Sequence, residues 1–239
     1  MIELEEGVKA KIALHAEEAA PRECCGVITI IKGRQVYVPC RNMAETVEDF
    51  LLHPEDFADA QDKGEVVAIV HSHPTTKPEP SAADLASMEE SGLPWFIYNP
   101  FLQEWGSAEP TGIKPALYGR KFVHGVFDCY GFVRDYYRQE LHIDLPYFHR
   151  NPEWWAKGEE LLLDNNLIEA GFVEVDQDKM RVNDVLVMQI NSVTPNHVGI
   201  LVEDNILGHH AMNRLSSKDV YGQLWRNYTR KVIRHRSLL

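Results

Sequence analysis

Two stretches of the chain carry residue types and spacings that could do chemistry. In "IVHSHPTTKPEPSAADLASMEE", residues 69–90, His71 and His73 stand two apart at the end of a β-branched run. Pro74 interrupts the ladder, and Ser81 and Asp84 follow. A period of two puts both imidazoles on one face of a strand. Two neutral imidazoles and a carboxylate, with a fourth position left to water, are the donor set of a hydrolytic zinc site. Such an ion lowers the pKa of its water towards ~7 and polarises a carbonyl. Ser-x-x-Asp is also an ordinary capping box worth ~1 kcal/mol, and His-x-His alone fits an exposed strand end equally well. The conjunction favours a metal. The part still missing is a general base, for which Glu23 in "PRECCGVI" is the candidate.

The second stretch is "VFDCYGFVRDYY", where Cys129 stands at the start of a helix that Asp128 can cap. A helix N-terminus stabilises a thiolate. A lone cysteine is more often a buried spectator, but His197 opens the strand "HVGILVE" and His209 lies on the next, "ILGHHA". Cysteine at a helix start with histidines on adjacent strands is a nucleophile, base and orienter. Cys24, Cys25 and Cys40 are too irregularly placed for a disulfide framework or a cysteine zinc site and read as small buried thiols.

The elements that must position these groups can be read from periodicity. Val8, Ile12, Ala16 and Ala19 predict a helix, "GVITII" and "QVYVPC" around "KGR" a hairpin, and "HPEDFADAQDKG" a short helix ended by glycine. "EVVAIV" is a buried strand that delivers the chain to His71; a helix from about Ala82 and a strand "PWFIY" follow. Two prolines and three glycines in "GSAEPTGIKPALYG", residues 106–119, read as a linker or domain edge. Beyond it, Phe132, Val133, Tyr136 and Tyr137 form one helical face. "NPEWWAKGEELLLDNN" opens like a helix with Asn151 as cap and Pro152 first, and Trp154–Trp155 read as core before ligand platform. Strands "DVLVMQI", "HVGILVE", "ILGHHA" and "RKVIRHR" complete the chain, the last expected at a sheet edge. The fold class is α/β or α+β in two domains, 1–111 and 112–239.

The order Glu23, His71-x-His73-Pro74, then Ser81-x-x-Asp84 resembles the motif of the JAMM (MPN-type) metallopeptidases over about residues 1–105. The resemblance implies a sheet flanked by helices, one zinc held by His71, His73 and Asp84, Glu23 as base, Ser81 as oxyanion donor, and peptide or isopeptide hydrolysis. Residues 113–239 resemble the NlpC-type cell-wall peptidases, papain-like in fold, through "DC-x-G", the "HVGI" strand and a polar residue twelve positions on. This implies Cys129 as nucleophile, His197 as base and His209, preferred to His210, as orienter, acting on peptidoglycan stem peptides. Tyr130 stands where that family usually has serine. Phe122 takes the usual tyrosine position, and His124 is a candidate for part of its role at the oxyanion. The two halves in this order resemble the tail-tip assembly proteins of lambda-like bacteriophages. That implies other tail-tip proteins as partners, a place in the host cytoplasm during assembly, and then the virion tail and periplasm. A structural or assembly role without catalysis, or a bacterial housekeeping wall peptidase, is the alternative.

Composition narrows the classes. The net charge of −12 lies wholly in residues 1–111, which hold 8 basic and 20 acidic side chains. Neither half shows the basic face of a nucleic-acid binder, and an acidic half suits docking onto a basic partner. No window is apolar enough for membrane insertion, and the acidic N-terminal stretch lacks the order of a secretory signal.

Overall fold

A computed structural model describes residues 2–113, 116–150, 153–156, 158 and 165–239. They fold as two compact units, residues 1–114 and 115–239, each α+β. The cap expected at Asn151 and Pro152 lies outside the described residues.

The first unit runs α1 (Glu6–Ala19), β1 (Cys25–Ile31), β2 (Arg34–Cys40), α2 (Pro54–Lys63), β3 (Glu65–Ser72), α3 (Ala82–Ser91), β4 (Trp95–Asn99) and β5 (Glu104–Ala108). Its sheet has the order β2-β1-β3-β4-β5, with β4 parallel to β3 and the other pairs antiparallel. The β1–β2 turn is made by Lys32 and Gly33, both at positive φ, as a two-residue hairpin requires. Val8, Ile12 and Ala16 of α1 pack with Cys24, Ile28, Val70 and Phe96 on one face of the sheet. Cys25, Val27, Ile69, Ala60, Met88 and Trp95 fill the other. Alternation along a strand sends adjacent Cys24 and Cys25 to opposite faces, and both, like Cys40, are free and buried.

The second unit runs α4 (Cys129–Glu140), α5 (Asn165–Glu169), β6 (Phe172–Val175), β7 (Val185–Met188), β8 (His197–Glu203), β9 (Ile206–His209), β10 (Ser217–Val220), α6 (Gln223–Tyr228) and β11 (Thr229–His235). The strands order as β10-β9-β8-β7-β11-β6. Helix α4 lays Phe132, Val133, Tyr136 and Tyr137 on Val198 and Ile200 of β8. Each large apolar side chain so buried contributes ~1.5–3 kcal/mol. On the other sheet face Leu186, Met188, Leu207 and Trp225 pack together.

Two sequence expectations are corrected. The turn-rich stretch from residue 106 begins inside β5, because Gly106 pairs with Ile97. A Cβ on Gly106 would lie 1.5 Å from the Pro78 carbonyl oxygen, so the glycine admits the close passage of the 74–80 loop. The "RKVIRHR" strand is interior: β11 pairs with both β7 and β6, and Arg234 is held by Asp184 at 2.7 and 2.8 Å.

Candidate functional sites

The first site is set by strand register. In the antiparallel β1–β3 pair Cys25 lies opposite His71 and Gly26 opposite Val70, so continuing the ladder puts residue 23 opposite residue 73. Glu23 lies just ahead of β1, outside the hairpin proper, and its Oε1 is 3.7 Å from His73 Nε2. His71 Nε2 and His73 Nε2 are 3.0 Å apart. Asp84 arrives from the first turn of α3, with Oδ1 3.4 Å from His71 Nε2 and Oδ2 3.4 Å from His73 Nε2. All four are buried. One ligand atom each from Glu23, His71 and His73 lies within 4.8 Å of the others. Asp84 touches both imidazoles, whereas Glu23 touches one.

The donor set fits a metal. Bonds of about 2.0–2.1 Å at tetrahedral angles place donor atoms about 3.3–3.4 Å apart; the two imidazole nitrogens are 3.0 Å apart and each lies 3.4 Å from an Asp84 oxygen, Oδ1 for His71 and Oδ2 for His73. The His73 tautomer agrees. His73 Nδ1 lies 3.0 Å from the Lys77 carbonyl oxygen, which can only accept. The ring proton therefore sits on Nδ1 and Nε2 is bare. His71 is clamped between Phe50, stacked at 4.5 Å, and Trp95, edge-on at 5.4 Å. Asn99 holds the loop after His73, donating to the His73 and Thr76 carbonyls at 2.7 and 2.6 Å.

Asp84 is cap and candidate ligand at once. Its Oδ2 accepts from the Ser81 backbone at 2.7 Å and its own N–H donates to Ser81 Oγ at 3.1 Å. Ser81 is exposed and is tied to the site through this box; no direct contact joins its hydroxyl to either imidazole among the described residues. Burial would raise the Asp84 carboxyl, but His71, His73 and the Ser81 N–H outweigh it and hold the group well below the usual range. Burial pushes Glu23 up to about 8, with His73 opposing and Asp84 assisting, and lowers His71.

The second site gathers around the start of α4. Asp128 Oδ1 accepts from the Gly131 N–H at 2.8 Å, capping the helix. A Cβ at position 131 would stand 1.9 Å from the Val126 carbonyl oxygen, which explains the glycine in "DCYG". Arg150 binds the same carboxylate through Nε and Nη2 at 2.6 and 3.1 Å and reaches the Gly125 carbonyl at 2.7 Å. Nothing in its spacing announced that partnership. Cys129 and His197 line one cavity of about 380 Å³ with Phe122, His124, Trp154 and Trp155. The backbone N–H groups of Val198, directly after His197, and of Tyr130 act to lower the Cys129 thiol, against its burial. His197 Nε2 lies 2.9 Å from His209 Nδ1. His210 turns to the Arg214 carbonyl at 3.2 Å.

Three further details qualify the sequence reading. Tyr130 points away, donating to the Pro146 carbonyl at 2.9 Å from a buried position, so it leaves the cavity wall unchanged. Trp154 is core, yet with Trp155 it also lines the cavity. A thiolate is not the resting form: burial, with Asp128 nearby, pushes the Cys129 thiol up to about 12, and burial drops His197 to about 3. Desolvation outweighs the helix N-terminus, so the pair rests as neutral thiol and neutral imidazole.

Each half of the chain matches a known protein family. Residues 5–107 match the prokaryotic homologs of the JAB domain, and residues 105–234 the NlpC/P60 family. Tail tip assembly protein K of Escherichia phage N15 is 39% identical over 95% of this chain and 93% of its own length. Its counterpart in Escherichia phage lambda is 38% identical over 78% and 90%. Among solved structures, a JAB1/MPN domain protein from Archaeoglobus fulgidus covers 46% of this chain and 91% of its own, at 21% identity and TM-score 0.31. An NlpC/P60 family protein from Bacillus cereus covers 93% and 66%, at 14% and 0.35. With a JAB domain followed by an NlpC/P60 domain and this identity along nearly its whole length, the chain belongs to the tail tip assembly protein K family.

Proposed function

We propose that the protein is a bifunctional hydrolase of phage tail assembly and host cell-wall penetration, in which a zinc-dependent peptidase or isopeptidase is joined to a thiol peptidase acting on peptidoglycan stem peptides. The observation that carries this reading is the convergence, in each unit, of buried polar groups drawn from distant parts of the chain. In the first unit His71, His73 and Asp84 would hold a metal ion, which when bound would acidify a water and polarise a carbonyl; imidazole and carboxylate donors suit zinc. Glu23, 3.7 Å from His73 Nε2, would in its ionised form accept a proton from that water. Ser81, its oxygen fixed by the Asp84 N–H, has its own proton free to donate to the developing oxyanion.

In the second unit His197 takes the Cys129 proton as the sulfur attacks the peptide carbonyl, and His209 holds the imidazole in place. Positive charge at the start of α4 favours the oxyanion. The partners are the substrate and other tail-tip proteins, and no nucleic acid. Among the described residues no helix is long and apolar enough to cross a membrane. On the tail-assembly reading the protein acts in the host cytoplasm during assembly and later in the tail and periplasm.

Muropeptide digestion by wild type, Glu23→Ala and Cys129→Ala, each with and without chelator, tests the reading. Loss in Cys129→Ala with indifference to chelator identifies an independent thiol enzyme. No cleavage under any condition overturns it in favour of an assembly factor.

A further inference from the structure

Asp219 lies beyond the three groups assigned to the thiol site. It stands on β10, two residues along from Ser217, which pairs with His209. Its Oδ2 is 3.3 Å from His209 Nε2, and Arg214 Nη1 lies 3.8 Å from the same oxygen. The Ser217 hydroxyl lies 3.2 Å from Oδ1. The contact to His209 lacks the alignment of a full hydrogen bond, and Nε2 has no other partner among the described residues. A buried imidazole nitrogen whose one polar neighbour is a carboxylate is placed by charge. Trp225 fixes both rings, edge-on to His209 at 4.6 Å and tilted 6.2 Å from His197.

We propose that Asp219 is a positioning residue that sets the direction of the whole imidazole relay; the proposal rests on the thiol-peptidase reading. A carboxylate can only accept, so it favours the His209 tautomer protonated at Nε2. His209 Nδ1 is then bare and, 2.9 Å from His197 Nε2, accepts the proton carried there. His197 is left with its lone pair on Nδ1, the atom able to take the Cys129 proton. Reversed, the relay sets a bare His209 Nε2 against the Asp219 charge and leaves His197 Nδ1 protonated and useless as a base. Two neutral imidazoles hydrogen-bonded edge-on, their planes at 77°, have no preferred sense of their own, and the carboxylate at the far end supplies one.

The test is nitrogen-15 correlation spectroscopy of the histidine rings in the full chain near pH 7. Wild type is expected to show His209 and His197 both protonated at Nε2. Asp219→Ala is expected to shift His209 towards the Nδ1-protonated form and to slow Cys129 alkylation by iodoacetamide by about tenfold, the scale of one lost charged contact. Asp219→Asn, which keeps an acceptor oxygen, is expected to recover most of the rate. A wild-type His209 protonated at Nδ1, which needs no variant to observe, overturns the proposal, as does Asp219→Ala with unchanged tautomers. If the tautomers run as stated while no muropeptide is cut, the relay stands and the peptidase reading falls.

Discussion

At the residue scale, what matters is which of two similar groups sits where. Glu23 and Asp84 are both buried carboxylates near His73, but only Asp84 reaches both imidazoles. Glu23→Gln is therefore expected to keep about one metal per chain by elemental analysis and to lose hydrolysis by about 10²–10⁴-fold, whereas His71→Ala is expected to lose the metal itself. The Asp128–Arg150 pair makes a different statement. Burial raises the Asp128 carboxyl, but Arg150 outweighs it and the net shift is downward. A group whose folded pKa is depressed contributes stability above its unfolded value of about 3.9, and loses it as pH falls through the folded value. The second unit's melting temperature is thus expected to fall below about pH 4. At neutral pH Arg150→Ala is expected to cost about 3–5 kcal/mol by leaving a buried charge unpaired, measurable by denaturant titration. Arg150 was invisible in the sequence, because an ion pair spanning 22 residues has no periodic signature.

Elements decide how tightly those residues are held. The capping box of α3 carries a candidate metal ligand, so one bond serves helix and site. Ser81→Ala is expected to cost ~1 kcal/mol of stability and, unlike an ordinary cap deletion, to weaken metal binding as well; calorimetric metal titration separates the two. Gly106→Val is expected to weaken binding with every ligand still present, because β5 and the loop carrying Pro78 cannot then pass so closely. Strands β1, β3, β4, β7, β8 and β9 were legible because their β-branched runs or alternation are strong. Strands β5, β6 and β10 were not: Glu, Gly, Ser, Lys or Asp interrupts each short run, so the strand is held by its neighbours more than by its own propensity. The interior place of β11 was also hidden, since its Arg and Lys residues mimic an edge.

For the whole molecule, two units with separate sheets and separate cores imply two unfolding events. Scanning calorimetry of the full chain is expected to show that chelator lowers only the transition of the first unit. A metal at a hundredfold excess over its Kd stabilises the unit that binds it by ~2.7 kcal/mol. A single transition that shifts as one would show the units to be coupled. The acidic surplus of residues 1–111 belongs to this scale as well: net charge acts on association and solubility and leaves the fold to packing.

By itself the sequence determined which groups are available and the local elements that carry them: His71 and His73 on one strand face, Asp84 inside a cap, Cys129 at a helix start, and two imidazoles opening or closing strands. Period and capping are short-range physics, readable within a dozen residues. Only the tertiary structure decided that Glu23 lies across the ladder from His73 and that Asp84 spans both rings. It alone brought Asp219 to the far side of His209 and made burial hold the Cys129 thiol neutral. Those outcomes depend on strand register and on exclusion of water, both set by the packing of segments far apart in the chain.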